Sequence, residues 1–347
     1  MNSHTIKTKA CVIYGAKDIH IEEQDLLFTD DDVIVKIEFG GICGSDIHYY
    51  HEGRAGLSVI KHPMIIGHEF AGIVYYAPKN SSLKIGQYVA VNPSQPCQQC
   101  EFCLQGKQNH CKTMRFMGSA QYNPHVQGGF SQYVKVSESQ CYLHKTTSKI
   151  MAFAEPLSVA IHAVNVAGNV VGKKVLVTGA GPIGCLISAA AKSAGASEVI
   201  VSDLTESSRS LALKMGADKV IDAKDKEIFT DLSANKGYFD VVFEASGAMP
   251  AIISSVQVTK PKGSIIQVGM GVNLSQYPVD QLIAKEISWK GSFRFIDEFR
   301  TAVDWLEQGI IDPLPLVTSS YSIEQAEEAL IVAADKNVSS KVQINFA

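Results

Sequence analysis

Apolar and polar residues alternate through Val33-Ile34-Val35-Lys36-Ile37-Glu38, the period of a half-buried strand. Tyr88-Val89-Ala90-Val91 and Tyr133-Val134-Lys135-Val136 are further strand candidates, and Gly, Pro, Asn and Ser separate the three. Up to about residue 150 this spacing predicts a compact, barrel-like β domain with long loops. From about residue 155 strand and helix patterns alternate instead. Val175-Leu176-Val177-Thr178 is an apolar strand, Cys185 to Ser193 a helix ending at Gly195, and Val199-Ile200-Val201-Ser202 a second strand. A helix from Ser207 to Met215 and strands at Val220-Ile221-Asp222 and Asp240-Val241-Val242-Phe243-Glu244 follow. Then come a helix from Met249 to Thr259 and a strand at Ser264-Ile265-Ile266-Gln267-Val268. Such units in series imply a doubly wound parallel sheet. Thr301 to Leu306 reads as helix, and Lys341-Val342-Gln343-Ile344-Asn345-Phe346 as a last strand that rejoins the first domain.

Between the first strand and helix of the second region stands Gly179-Ala180-Gly181-Pro182-Ile183-Gly184, and the second strand ends at Asp203. GxGxxG alone is a weak signal. Strand, GxGxxG, helix, strand and acidic residue in that order form the dinucleotide-binding fingerprint. Gly179, Gly181 and Gly184 permit the tight turn and the close approach of a pyrophosphate. The helix that starts at Pro182 supplies N–H groups, from Ile183 onward, and the positive end of a dipole. A carboxylate at Asp203 accepts bonds from both adenine-ribose hydroxyls and repels a 2′-phosphate, so NAD(H) is the expected cofactor. Arg209 stands near enough to soften that bias and allow some use of NADP(H). Val268, Gly269, Met270 and Gly271 follow a strand at the carboxyl edge, where ligands bind in such sheets.

The chain has 347 residues, enough for two domains, and a net charge of −4 gives no electrostatic case for nucleic acid or anionic membrane. No apolar signal stretch opens the sequence, and a cytoplasmic location is the default expectation. In a reducing compartment, clustered cysteines suggest metal rather than disulfides. Four of the 8 cysteines form Cys97-x2-Cys100-x2-Cys103-x7-Cys111. Four thiolates close a tetrahedral zinc site and leave no position for substrate, so this ion would be structural; an iron–sulfur cluster is the alternative. Cys11, Cys141 and Cys185 stand alone and read as packing residues. Cys43-Gly44-Ser45-Asp46-Ile47-His48 and Gly67-His68-Glu69 offer the thiolate, imidazole and carboxylate that a catalytic zinc takes when one position stays open. Ser45 and His48 add a hydroxyl and a second imidazole suited to moving a proton.

In order and spacing these motifs make the chain resemble the zinc-containing medium-chain dehydrogenase/reductase family over essentially its whole length. The resemblance implies a GroES-like catalytic domain (residues 1–154 and 296–347) around an inserted Rossmann domain (residues 155–295). Phe153-Ala154-Glu155-Pro156-Leu157-Ser158 places Glu155 where alcohol dehydrogenases of the family carry a cysteine ligand, and so resembles the polyol (sorbitol) dehydrogenase branch. Gly291-Ser292-Phe293-Arg294-Phe295 resembles the same branch, whose arginine there faces the polyol. Met114-Arg115-Phe116-Met117-Gly118-Ser119-Ala120 and Pro124-His125-Val126 are similar to its members that act on sugar acids.

The resemblance implies reversible hydride transfer between a nicotinamide cofactor and a secondary alcohol, with two zinc ions per chain. Cys43 and His68 would hold the catalytic ion, with Glu69 and Glu155 competing for the third position. A relay would run from Ser45 through the nicotinamide ribose to His48. A sugar acid needs a cation for its carboxylate. Arg294 is the best placed of Arg54, Arg115 and Arg294, and Tyr49 is a candidate to line the same pocket. A homodimer or homotetramer is expected. Outside the enzymes, the alternative is a non-catalytic protein that binds zinc and nucleotide.

Overall fold

The computed structural model describes residues 3–270 and 277–346; Gly271, singled out above, lies outside them. The chain divides into two compact units, the first formed by Met1–Glu155, Phe299–Gly309 and Val317–Ala347 and the second by Pro156–Glu298 and Ile310–Leu316. In the first unit, Val33–Gly41 is central to a seven-stranded sheet. It pairs antiparallel with Glu69–Tyr76, with Tyr133–Val136 and with the late strand Lys341–Asn345. The buried faces of these strands meet around Ile37, Phe70, Phe130 and Ile344, none more than 2% exposed. The pairing of Gly41 with both Glu69 and Gln343 brings three distant parts of the chain to one point. A long hairpin, Ser3–Gly15 with Asp18–Thr29, also belongs to this unit. Its charged, half-buried second strand breaks hydrophobic alternation at Glu22-Glu23 and Leu26-Leu27, which is why the sequence pattern does not announce it.

The second unit is built on a six-stranded parallel sheet in the order Lys219–Asp222, Glu198–Asp203, Lys174–Thr178, Phe239–Glu244, Thr259–Gln267, Ser288–Gly291. The order reverses between Lys174–Thr178 and Phe239–Glu244, so the crevice for a ligand opens at their carboxyl ends. Val175, Leu176, Val177, Val241, Val242 and Phe243 are fully buried, as strands covered by helices on both faces require. The predicted helix from Met249 to Thr259 ends at Val258, and the strand begins at Thr259, five residues before the predicted start. Pro261, Lys262 and Gly263 interrupt the strand pattern, and Lys262 takes a left-handed turn (φ 64°) within the strand, beside its irregular register. No helix among the described residues is long and apolar enough to cross a membrane.

Candidate active site

Two groups of metal-ligating side chains occur among the described residues, both in the first unit. In the loop after Ser94–Gln95, the sulfurs of Cys97, Cys100, Cys103 and Cys111 lie within 4.8 Å of one another. Cys97 and Cys103 Sγ are 4.0 Å apart, and Cys100 and Cys103 Sγ 3.6 Å. A tetrahedron with metal–sulfur bonds of about 2.3 Å has edges of about 3.8 Å, so the spacing suits zinc. The N–H of Cys97 donates to Cys111 Sγ and that of Cys100 to Cys97 Sγ. N–H groups of Gln99 and Cys100 and the Thr113 hydroxyl pull the Cys97 thiol down to about 6. Backbone donors from Cys103 and Lys112 lower Cys100 as well, whereas burial pushes Cys103 up to about 12. Met114 and Phe116 pack against the four cysteines as a small core of their own.

The second group is Cys43, His68 and Glu69, whose ligand atoms also fall within 4.8 Å of one another. Cys43 caps the helix Gly44–Glu52, and Asp46 ties it to Gly67, just before His68 and the strand Glu69–Tyr76. Asp46 is fully buried; Oδ2 accepts from the Cys43 N–H at 3.0 Å and Oδ1 from the Gly67 N–H at 3.1 Å. Gly67 has φ 90°, and a Cβ there would meet the Phe130 ring at 2.1 Å, so glycine is the only fit before His68. Asp46 Oδ1 also lies 3.9 Å from His68 Nδ1. Sequence reading gave Asp46 no role, although a carboxylate three residues after a helix cap is a capping signal.

Lys341, from the last strand, was missed altogether. Only 3% exposed, it donates to both Glu69 oxygens, at 2.9 and 2.7 Å, and to the Ile42 carbonyl at 3.0 Å. A Cβ at Gly41 would stand 2.3 Å from Glu69 Oε2, so this glycine makes room for the ion pair. A lysine among apolar strand residues was the available signal, since a buried ammonium needs a partner. Burial works against charge on both His68 and Lys341. Even so, Cys43, Asp46 and Glu155 push His68 well above its usual pKa, and Glu69, Cys43 and Glu155 raise Lys341. Both shifts mark a pocket rich in negative charge, and its thiol, imidazole and carboxylates are the donor types that suit zinc. Glu155, 6% exposed, adds to this charge but is not in the tight group with Cys43 and His68.

Ser45 is half-buried in the first turn of the helix that Cys43 caps, and His48 is exposed one turn on, 2.9 Å from Glu52. Tyr49 lies in the core, 3% exposed, and its hydroxyl accepts the Ala120 N–H at 3.0 Å.

In the second unit, Gly179 has φ 93° and a Cβ on Gly184 would meet the Gly179 carbonyl at 1.9 Å, so both positions demand glycine. Gly181 caps the helix Pro182–Ser193, with Pro182 and Ile183 in its first turn. Asp203 Oδ2 accepts the Ala180 N–H at 2.8 Å and Oδ1 the Thr205 N–H at 2.9 Å, so this carboxylate already steadies the glycine loop. Arg209 donates to the Asp203 carbonyl at 2.8 Å and pairs with Asp222 at 3.2 Å. Beside the loop, fully buried Glu244 accepts from Thr178, Ser246, Gly247 and Gln267. Its carbonyl receives the N–H groups of Val268 and Gly269, and Met270 stands exposed beyond them. Arg294 adopts φ 54°, its guanidinium 5.0 Å from the Phe293 ring centroid.

Known proteins resemble this chain. Residues 29–146 match the alcohol dehydrogenase GroES-like domain, and residues 182–308 match the zinc-binding dehydrogenases. L-idonate 5-dehydrogenase (NAD(P)(+)) of Escherichia coli (strain K12) is 47% identical over 343 residues, spanning 98% of this chain and 99% of that protein. Sorbitol dehydrogenase of Bombyx mori is 35% identical over 335 residues, 93% of this chain and 94% of its own. The crystal structure of L-idonate 5-dehydrogenase from Escherichia coli aligns with a TM-score of 0.97 at 46% identity, covering 100% of both chains.

Proposed function

Because the chain belongs to the zinc-binding, GroES-like alcohol dehydrogenase family, we propose that it oxidises L-idonate at C5 to 5-keto-D-gluconate, reversibly, with NAD(H) preferred and NADP(H) tolerated. The observation that carries this reading is the 47% identity to an L-idonate 5-dehydrogenase across 98% of the chain. Sorbitol- or xylitol-type oxidation is the second reading, supported by 35% identity to a sorbitol dehydrogenase.

In this proposal the first unit is the catalytic domain and the second the dinucleotide-binding domain. Cys97, Cys100, Cys103 and Cys111 hold one zinc. Cys43 and His68 hold the other, with Glu69 or Glu155 completing the set. Lys341 keeps a claim on Glu69, which supports Glu155 or water beside it as the adjustable part. Bound there, zinc would supply a Lewis acid for the substrate hydroxyl and the nicotinamide an acceptor for the hydride. Ser45 Oγ takes the departing proton as its own hydroxyl proton leaves toward His48, on the same helix face, which gives one up to solvent. Asp46 holds the Cys43 and Gly67 turns in register. Gly179, Gly181, Pro182, Ile183 and Gly184 cradle the pyrophosphate. Asp203 takes the ribose hydroxyls, Arg209 flanks it, and Val268, Gly269 and Met270 line the carboxyl edge. Arg294 pairs with the substrate carboxylate, and Tyr49 supports the Ala120 segment from the core.

The protein acts in this reading as a cytoplasmic homodimer or homotetramer. The Ser288–Gly291 edge strand, with its open row of backbone groups, is the surface that suits a partner copy. The deciding experiment sets 5-ketogluconate against fructose and xylulose, with NADH and then NADPH, on zinc-loaded enzyme. The highest kcat/KM is expected for 5-ketogluconate with NADH. A higher value for fructose would move the assignment to the polyol reading, and a clean monomer in sedimentation would remove the oligomer.

A further inference from the structure

Arg294 sits in a short segment between the edge strand Ser288–Gly291 and the helix Glu298–Glu307. A left-handed backbone is costly for a residue with a side chain, and it persists only where neighbours impose it. Two anchors flank Arg294. On one side the Ser292 N–H donates to the Gln267 carbonyl at 2.9 Å. On the other, the Ile296 N–H donates to Glu298 Oε2 at 2.7 Å. Between them Phe295 is 2% exposed, so the segment is pinned by packing as well.

Glu298 is itself gripped. His162 Nδ1 donates to its Oε1 at 2.9 Å and Asn165 Nδ2 to the same oxygen at 3.0 Å, both from the helix Ala154–Ala167. The side chains of His162 and Glu298 are only 10% and 11% exposed. A carboxylate at a helix start needs only the local N–H groups to act as a cap. Glu298 instead spends one oxygen on another helix and the other on the segment that carries Arg294.

We infer that Glu298 is a positioning residue for substrate selection: through Ile296 it fixes Arg294 in its left-handed turn and so aims the guanidinium. The inference rests on the reading that Arg294 meets the substrate carboxylate. A guanidinium binds a carboxylate best in a fixed fork, so a loosened backbone raises KM before it touches the hydride step.

The test is a double-mutant cycle of Glu298→Gln and Arg294→Ala, read as KM and kcat for both 5-ketogluconate and fructose. Glu298→Gln keeps the length and loses the charge that grips His162. It should raise KM for 5-ketogluconate about tenfold while kcat changes by less than about threefold, the size of coupling seen between residues of one network. In the Arg294→Ala background the same change should alter KM less than about twofold. Independent, multiplying effects on both ketoses would overturn the positioning role, as would an Arg294→Ala variant without effect on either. If Arg294→Ala weakens both ketoses alike yet remains coupled to Glu298, the positioning role stands and the carboxylate reading falls. Should Glu298→Gln fail to fold, exposed Asn165→Ala removes a single donor and enters the same cycle.

Discussion

The two metal-ligand groups of the first unit are built in opposite ways. The four cysteines come from 15 consecutive positions, and short N–H donors within the loop prepare their sulfurs. Cys43, His68 and Glu69 come from a helix cap, a turn and a strand start, are tied by Asp46, and face a lysine 272 positions away from Glu69. A site made locally can close around its ion. A site assembled by the whole fold carries surplus charge and groups that adjust, which is what chemistry on a substrate requires.

The contrast is broken most severely by ligand removal. Cys43→Ala should lower kcat by roughly 10³-fold or more, since a Lewis acid contributes several kcal/mol to the transition state, while the thermal midpoint moves little. Cys100→Ser should do the reverse and reduce soluble, folded protein, because a closed metal site contributes folding energy. Activity and melting measured on both variants check this, and equal loss of folding in both would erase the distinction.

Metal removal sharpens it further. Metal analysis of the folded chain should give two zinc ions, and a chelator should take one first, with activity lost in step and the fold retained. Loss of both ions at one rate would count against an open and a closed site.

Lys341→Met comes next. It leaves Glu69 buried without its cation, and disruption of such an outer partner costs on the order of 10–100-fold in activity. Activity should fall within that range, and the freed carboxylate should slow chelation of the more labile zinc. Lys341→Arg should restore activity. Faster chelation in Lys341→Met would show that the lysine only supports the fold.

The smallest effect concerns acid. Burial alone would raise the pKa of Glu298, but hydrogen bonds from His162, Asn165 and the Ile296 N–H carry it from 4.5 down to about 2. Its stabilising contribution is therefore complete above about pH 4.5 and fades as pH falls toward 2. Glu298→Gln should flatten that part of the stability curve and leave the rest unchanged; an unchanged acid limb would remove this contribution.

The second unit was readable because each of its signals is local. Strand period, glycine turn and acidic strand end follow one another within about 30 residues, as a βαβ unit requires. The cysteine loop was readable for the same reason. Asp46 and Lys341 were not, because their meaning lies in contacts across the fold: nothing near Lys341 in sequence indicates a carboxylate opposite it. Glu298 lies before the helix read from Thr301 to Leu306 and went unremarked, because its partners His162 and Asn165 stand on a distant helix. Gly41 likewise gives no hint in sequence that its missing Cβ is filled by a carboxylate oxygen.

The Lys341–Glu69 pair also sets an order in time. At roughly 5–20 residues per second, a ribosome adds Lys341 on the order of tens of seconds after Glu69. Throughout that interval the thiol, imidazole and carboxylate of the nascent first unit exist without their buried ammonium. The cysteine sulfurs take their donors from the loop itself, from Cys97 to Thr113. The closed ion can therefore be loaded on the growing chain, whereas the charge balance of the open site is reached only once the final strand is paired.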